Sequence, residues 1–180
     1  MVYRFSSRLA LGAVFLFLAG FGFTSCRSLS WFFLKRSLHS KFAAVHWITT
    51  EQLADWLGAK NRPPPVLLDV RTPAEWNVSH LPEARRVDPG AEAKTAAAGL
   101  AKETPIVTYC SIGYRSGEMA ERLRAAGYSH VHNLDGSIFQ WANEHRPLLR
   151  NGERVRRVHP YSEGWGSLLA PEVRAAVPEK

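Results

Sequence analysis

Three short β-rich runs, each followed by a helical pattern, constrain the fold of this chain more than any other feature. Val66-Leu67-Leu68-Asp69-Val70, Pro105-Ile106-Val107-Thr108-Tyr109 and Val131-His132-Asn133-Leu134 are β-rich and show no clear alternation of apolar with polar residues. Strands of that kind are buried on both faces, as in a parallel sheet covered by helices. The intervening segments carry the matching helix signals. Thr49 and Gln52 have capping-box spacing, with Ile48 and Leu53 placed as a hydrophobic staple, so a helix is expected to run to about Leu57. Thr72-Pro73-Ala74-Glu75 opens a second, short helix with a threonine cap, a proline in the first turn and a glutamate three residues on.

Further along, 84–87 is expected as a short strand and the alanine-rich 91–101 as a helix. Residues 116–126 follow as an amphipathic helix, with Met119, Ala120 and Leu123 on one face and Gly127 as its stop. A last short helix is expected over 138–143. Strands and helices in this order imply an α/β fold of three layers, a mainly parallel central sheet flanked by helices on both faces.

The amino terminus has a different character. Residues 1–8 contain Arg4 and Arg8 and no acid, no charge occurs from Leu9 to Cys26, and the run from Leu11 to Ala19 is strongly apolar. That is the layout of a secretory signal. Phe23-Thr24-Ser25-Cys26 resembles a bacterial lipoprotein signal, with Phe23 where leucine is usual, so Cys26 is a candidate for lipidation. An uncleaved membrane anchor and a cleaved secreted product are the alternatives, since an uncharged run of this length is at the lower limit for spanning a bilayer. The domain is expected at a membrane, facing the periplasm or cell exterior. However, Arg27, Lys35, Arg36 and Lys41 outnumber the basic residues before the apolar run, and for an uncleaved anchor that bias would place the domain on the cytoplasmic face of the inner membrane. On this reading 1–26 is the signal or anchor, 27–46 a linker, 47–149 the folded domain and 150–180 a carboxyl-terminal extension. The aromatic run Trp31-Phe32-Phe33-Leu34 could lie in the membrane interface or dock on the domain.

Cys26 and Cys110 are the only cysteines, and a bridge between a membrane signal and a core strand is improbable, so no disulfide framework is expected. Cys110 ends the strand over 105–109, and the next helix begins a few residues later. Ligands bind at the carboxyl ends of strands in open parallel sheets. In the loop Ser111-Ile112-Gly113-Tyr114-Arg115, Gly113 permits a tight backbone path, so that amide N–H groups, the start of the helix and the Arg115 guanidinium form an anion cradle around the sulfur. A cysteine so placed is a candidate thiolate nucleophile. The plainer reading of a free cysteine is a small buried hydrophobe; the glycine and arginine placement argues against it.

Cys110-Ser111-Ile112-Gly113-Tyr114-Arg115-Ser116 resembles the active-site loop of the rhodanese family. Asp69-Val70-Arg71, Glu75-Trp76 and His80-Leu81-Pro82 resemble that family's first hallmark, and Leu134-Asp135-Gly136 with Trp141 its closing one. The resemblance covers about 48–148. It implies that Cys110 becomes persulfidated, that Arg115, Ser111, Ile112, Gly113, Tyr114 and Ser116 bind the substrate, and that Asp69, Arg71, Glu75 and His80 support the loop. It further implies transfer of sulfur from a small sulfur-containing anion such as thiosulfate to cyanide, a small thiol or a protein thiol, without a cofactor. The sequence departs from the family pattern at Glu83 and Ser137, where glycine is expected. Cysteine-dependent phosphate ester hydrolysis uses a related loop with five residues between cysteine and arginine; here four separate Cys110 from Arg115, and the loop has no aspartate to serve as leaving-group acid. A non-catalytic binding module and a thiol redox sensor are the rival functions.

The remaining candidates have plainer readings. His130 and His132 share a strand face, but without nearby carboxylates or cysteines no metal site is expected. The net charge of +7 comes from scattered basic residues with no stripe, which argues against nucleic-acid binding. Trp56, Trp76 and Trp141 are expected as core anchors, and Asp135 as a pocket-rim residue or the cap of the last helix. Asn151-Gly152 suggests a hairpin, and the aromatic segment from His159 to Leu169 is expected to pack on the domain, with gripping a partner as the alternative.

Overall fold

The computed structural model describes residues 27–176. The signal or anchor assigned to 1–26, Cys26 included, lies outside them. Five parallel strands form the central sheet in the order β1-β5-β4-β2-β3: β1 (His46–Ile48), β2 (Val66–Asp69), β3 (Arg85–Arg86), β4 (Ile106–Tyr109) and β5 (Val131–Leu134). β4 is central, pairing with β2 (Leu68 beside Thr108) and with β5 (Thr108 beside Asn133). Its four residues are all buried, as the unbroken apolar run predicts.

Consecutive residues of each strand point to opposite layers. Leu67, Val107, Tyr109 and Leu134 enter one core with α2 (Thr50–Gly58) and α6 (Ser137–Asn143). Leu68, Ile106 and Val131 enter the other with α4 (Ala93–Ala96) and α5 (Tyr114–Ala125). The capping boxes at Thr49–Gln52 and Thr72–Glu75 both form, the second opening α3 (Pro73–Trp76). Trp141 is buried, with its indole N–H donated to the Pro147 carbonyl.

Several expectations need correction. The segment read as a linker is a helix, α1, over 27–41, and its end buries Leu38, Phe42 and Val45 in the second core. Trp31, Leu34 and Leu38 recur at helical spacing and face the domain, and Leu29, Phe32 and Phe33 stay exposed, so the aromatic run is divided between two faces. Gly117 makes the docking possible: a Cβ there would come within 2.7 Å of the Phe42 ring. The helix expected over 91–101 is confined to Ala93–Ala96, because Gly99 turns the chain at φ +76°. Asp135 neither caps α6, whose N-cap is Gly136, nor stands free, because it pairs with Lys35 at 2.7 Å and His39 at 3.2 Å on α1.

β6 (Leu148–Arg150) and β7 (Glu153–Val155) form the hairpin, turned by Asn151 and Gly152 at φ +52° and +82°. Beyond α7 (Glu163–Gly166), Leu168, Leu169, Ala170 and Val173 pack into the first core, so the extension is part of the domain.

Both departures from the family pattern fall on left-handed backbone. Glu83 has φ +58° and Ser137 φ +50°. A side chain in that region costs roughly 1–2 kcal/mol. Ser137 offsets the cost, its hydroxyl donating to the Leu134 carbonyl and accepting the Cys110 N–H, both at 3.2 Å. Exposed Glu83 has no such compensation. Glu83→Gly is therefore expected to stabilise the fold by about 1 kcal/mol, read as a rise of about 2–4 °C in thermal melting, whereas Ser137→Gly is expected to give no gain because it removes two hydrogen bonds.

Candidate active site

Cys110 follows directly from β4, the strand flanked on both sides within the sheet. Its carbonyl accepts the Ile138 N–H at 3.2 Å and its own N–H goes to Ser137, so the start of α6 fixes the cysteine's backbone. The chain then turns through Gly113, at φ +112°, directly into α5. A side chain at Gly113 would be strained by that angle, although a Cβ there would make only ordinary contact with Leu38 and Trp47. The turn brings the Gly113 N–H to 3.2 Å from the Cys110 sulfur. The Gly113 carbonyl is held by the Asn133 amide at 2.8 Å, which ties the loop to β5. The first-turn N–H groups of α5 lack intrahelical acceptors, as at any helix start, and lend a positive end to the loop.

Arg115 does not stand free beside the sulfur. It forms two hydrogen bonds with Glu75, at 2.7 and 2.8 Å, and one with the Ser111 hydroxyl at 3.0 Å, while also interacting with Cys110. Ser111 in turn donates to Glu75 at 2.7 Å. Burial alone would push the Glu75 carboxyl up, but Arg115, Ser111 and the Thr72 amide outweigh it and bring it down to about 2. Glu75 therefore remains ionised at neutral pH, and Arg115 is held charged against its own burial by Glu75 and Cys110.

A second ion pair lies beneath the first. Arg71 and Asp69 are both fully buried and bonded at 2.8 and 2.6 Å, and Arg71 also donates to the Ser79 carbonyl at 2.6 Å. These bonds pin both ends of the segment that carries α3 and Glu75. His80 braces the same segment. Its backbone pairs with Leu149, and its ring stacks on Trp76 at 3.8 Å.

A cavity of about 430 Å³ opens over the loop, with Cys110, Ser111, Ile112, Tyr114 and Arg115 on its floor. Gly113 contributes its N–H and no wall. Ser116 lies on the buried face of α5 with its hydroxyl unpartnered, its carbonyl accepting from Thr108. The walls come from residues that motif reasoning did not select. Leu34, Ser37, Leu38 and Lys41 stand on α1, and Tyr161 and Trp165 on the extension. His159 also approaches the Glu75–Arg115 pair, and burial lowers its basicity. The aromatic content of 159–169 was the available signal. The structure divides that segment between core residues such as Leu168 and open ones, Tyr161 at 51% and Trp165 at 40% exposure.

The structure is thus a parallel α/β sheet with Cys110 at the carboxyl end of its central strand, in a turn whose Gly113 N–H meets the sulfur. The family profile described as Rhodanese-like domain matches residues 49–144, just over half of the chain, and the protein belongs to that family. It is 33% identical over 84 residues to a sulfurtransferase of Allochromatium vinosum, covering 47% of this chain and 78% of the relative. It is 33% identical over 101 residues to the probable adenylyltransferase/sulfurtransferase MoeZ of Mycobacterium tuberculosis, covering 56% of this chain but only 25% of that relative. Among solved structures, a rhodanese-like domain protein from Staphylococcus aureus superposes with a TM-score of 0.51 at 25% identity, over 59% of this chain and 99% of that one. The Alr3790 protein from Anabaena superposes at 0.53 and 24% identity, over 57% and 80%, and supports the fold alone. At the level of the family and its named relatives, the chemistry supported is sulfur transfer.

Proposed function

We propose that the protein is a thiosulfate-type sulfurtransferase working through a Cys110 persulfide. The observation that carries the reading is the Gly113 N–H at 3.2 Å from a sulfur that lines an open cavity, with an arginine in the same loop. In the first step the Cys110 thiolate attacks the outer sulfur of thiosulfate. The S–S bond breaks, its electron pair leaves with sulfite, and Cys110 retains the transferred sulfur as a persulfide anion. In the second step cyanide, a small thiol or a protein thiol removes that sulfur and regenerates the thiolate. Amide donors and Arg115 supply the positive field that the persulfide anion requires. Intact-mass measurement after incubation with thiosulfate is expected to show the gain of one sulfur atom, absent in Cys110→Ser. An unchanged mass in the native protein would refute the reading and favour a binding module.

We further propose that the domain works at a membrane surface. Leu29, Phe32 and Phe33 form an exposed apolar stripe on α1, and Arg27 and Arg36 on the same helix suit anionic headgroups. Residues 9–26, uncharged and strongly apolar in sequence, lead into this helix. The full chain is expected to float with anionic phosphatidylglycerol vesicles, and Phe32→Ser/Phe33→Ser to weaken that flotation. Equal flotation of both proteins would count against α1 as a contact.

A further inference from the structure

The cavity over Cys110 is too large and too apolar for the small anion that loads it. Its volume of about 430 Å³ lies in the range of sites that enclose drug-sized organic ligands. Thiosulfate would occupy a small part of it, next to the sulfur. Around the loop the walls are Leu34 and Leu38 from α1, Tyr161 and Trp165 from the extension, and the Tyr114 ring. Tyr114, Tyr161 and Trp165 are each two-fifths or more exposed, large rings left open at the mouth of the cavity.

The cavity's two cations have different roles. Arg115 is matched by Glu75, and its guanidinium lies 4.9 Å from the Tyr161 ring centre. Lys41 has no carboxylate partner among the described residues, and its ammonium lies 5.1 Å from the Tyr114 ring centre and 5.5 Å from that of Phe42. It is thus a charge at the rim, beside an aromatic wall, available for an anion on a ligand. Leu34, Leu38 and Lys41 precede residues 49–144, and Tyr161 and Trp165 follow them, so both walls are additions to the family domain.

We infer that this cavity selects the sulfur acceptor, and that the acceptor is an organic thiol with an aromatic or branched apolar body and a carboxylate. The body rests between Trp165 and Leu34, the carboxylate reaches Lys41, and the thiol points to the persulfide. The inference rests on the sulfurtransferase reading above. In the transfer, the acceptor's thiol proton passes to the outer sulfur of the Cys110 persulfide anion and the acceptor thiolate attacks that sulfur. The new S–S bond forms on the acceptor as the bond to Cys110 breaks, and the electron pair returns to Cys110 as thiolate. The products are an organic hydropersulfide and the free enzyme, with no outside oxidant or reductant.

The test loads the full-length protein with thiosulfate and measures kcat/KM for α-mercaptophenylacetate, mercaptoacetate and benzyl mercaptan. The first differs from the second by a phenyl group and from the third by a carboxylate. α-Mercaptophenylacetate is expected to exceed mercaptoacetate by about tenfold or more, the scale of burying one ring. It is also expected to exceed benzyl mercaptan; Trp165→Ala is expected to reduce the first ratio to about twofold, and Lys41→Gln to remove the advantage over benzyl mercaptan. Equal rates for the three thiols in the native protein would overturn the inference while leaving the persulfide mechanism intact, as would Trp165→Ala lowering the phenyl and non-phenyl thiols alike. Failure of Cys110 to take up sulfur would overturn both.

Discussion

Arg71→Met is expected to destabilise the fold by about 3–5 kcal/mol, because it leaves the Asp69 carboxylate buried without its partner. Domains of this kind are held by only about 5–15 kcal/mol in total, so the variant stands near the threshold of unfolding. The loss has three parts. Asp69 would forfeit two hydrogen bonds in a site closed to water. The Ser79 carbonyl would lose its donor. Tyr109, whose ring lies 5.8 Å from the Arg71 guanidinium, would lose a neighbouring cation. Urea unfolding should show a lower midpoint. The double variant Asp69→Leu/Arg71→Met is expected to recover much of that loss, because it removes both charges rather than orphaning one. A midpoint for Arg71→Met within error of the native one would show that the pair contributes nothing net.

Arg115→Ala is expected to lower kcat/KM for thiosulfate by about a hundredfold, more than loss of one binding contact would explain. Removing the guanidinium takes away the hydrogen bonds and the charge that most strongly hold the Glu75 carboxyl down, so that only the Ser111 and Thr72 donors oppose the upward push of its burial. The loop loses its cation, and wherever the pH keeps Glu75 ionised it presents an unmatched negative charge to an approaching anion. Glu75→Gln acts in the opposite sense. It releases Arg115 from its counterion, so the expected result is unchanged or several-fold higher thiosulfate kcat/KM together with reduced stability. In the double variant Arg115→Ala/Glu75→Gln, part of the activity lost in Arg115→Ala should return. Steady-state kinetics on the four proteins gives the coupling directly. Strict additivity would show that the two side chains act independently.

The parts of the molecule legible in the sequence are those written locally. The β-rich runs over 66–70, 105–109 and 131–134 became β2, β4 and β5, the first of them written as the continuous apolar run expected of a strand buried on both faces. Both capping boxes and the Asn151-Gly152 turn depend on residues within a few positions of one another. The Glu75–Arg115 pair depends on a contact across forty residues, which no local pattern encodes. Asp135 was misread for the same reason, its partners lying on α1 almost a hundred residues earlier. The basic and aromatic composition of 27–46 looked like a tether because both faces of α1 carry large hydrophobic residues. The packing of Trp31, Leu34 and Leu38 on the two cores shows which face belongs to the domain, and the contact between Phe42 and Gly117 anchors the turn that follows.

That contact bears on how the chain can be handled. β1, which begins at His46, closes one side of the sheet by pairing with β5, and the Phe42 ring fills the hollow over Gly117. A fragment excised at 49 and 144 would therefore open β5 as an unprotected edge and leave a greasy socket on α5. Such a piece invites strand addition between copies, and its cysteine would be stripped of its selective surroundings.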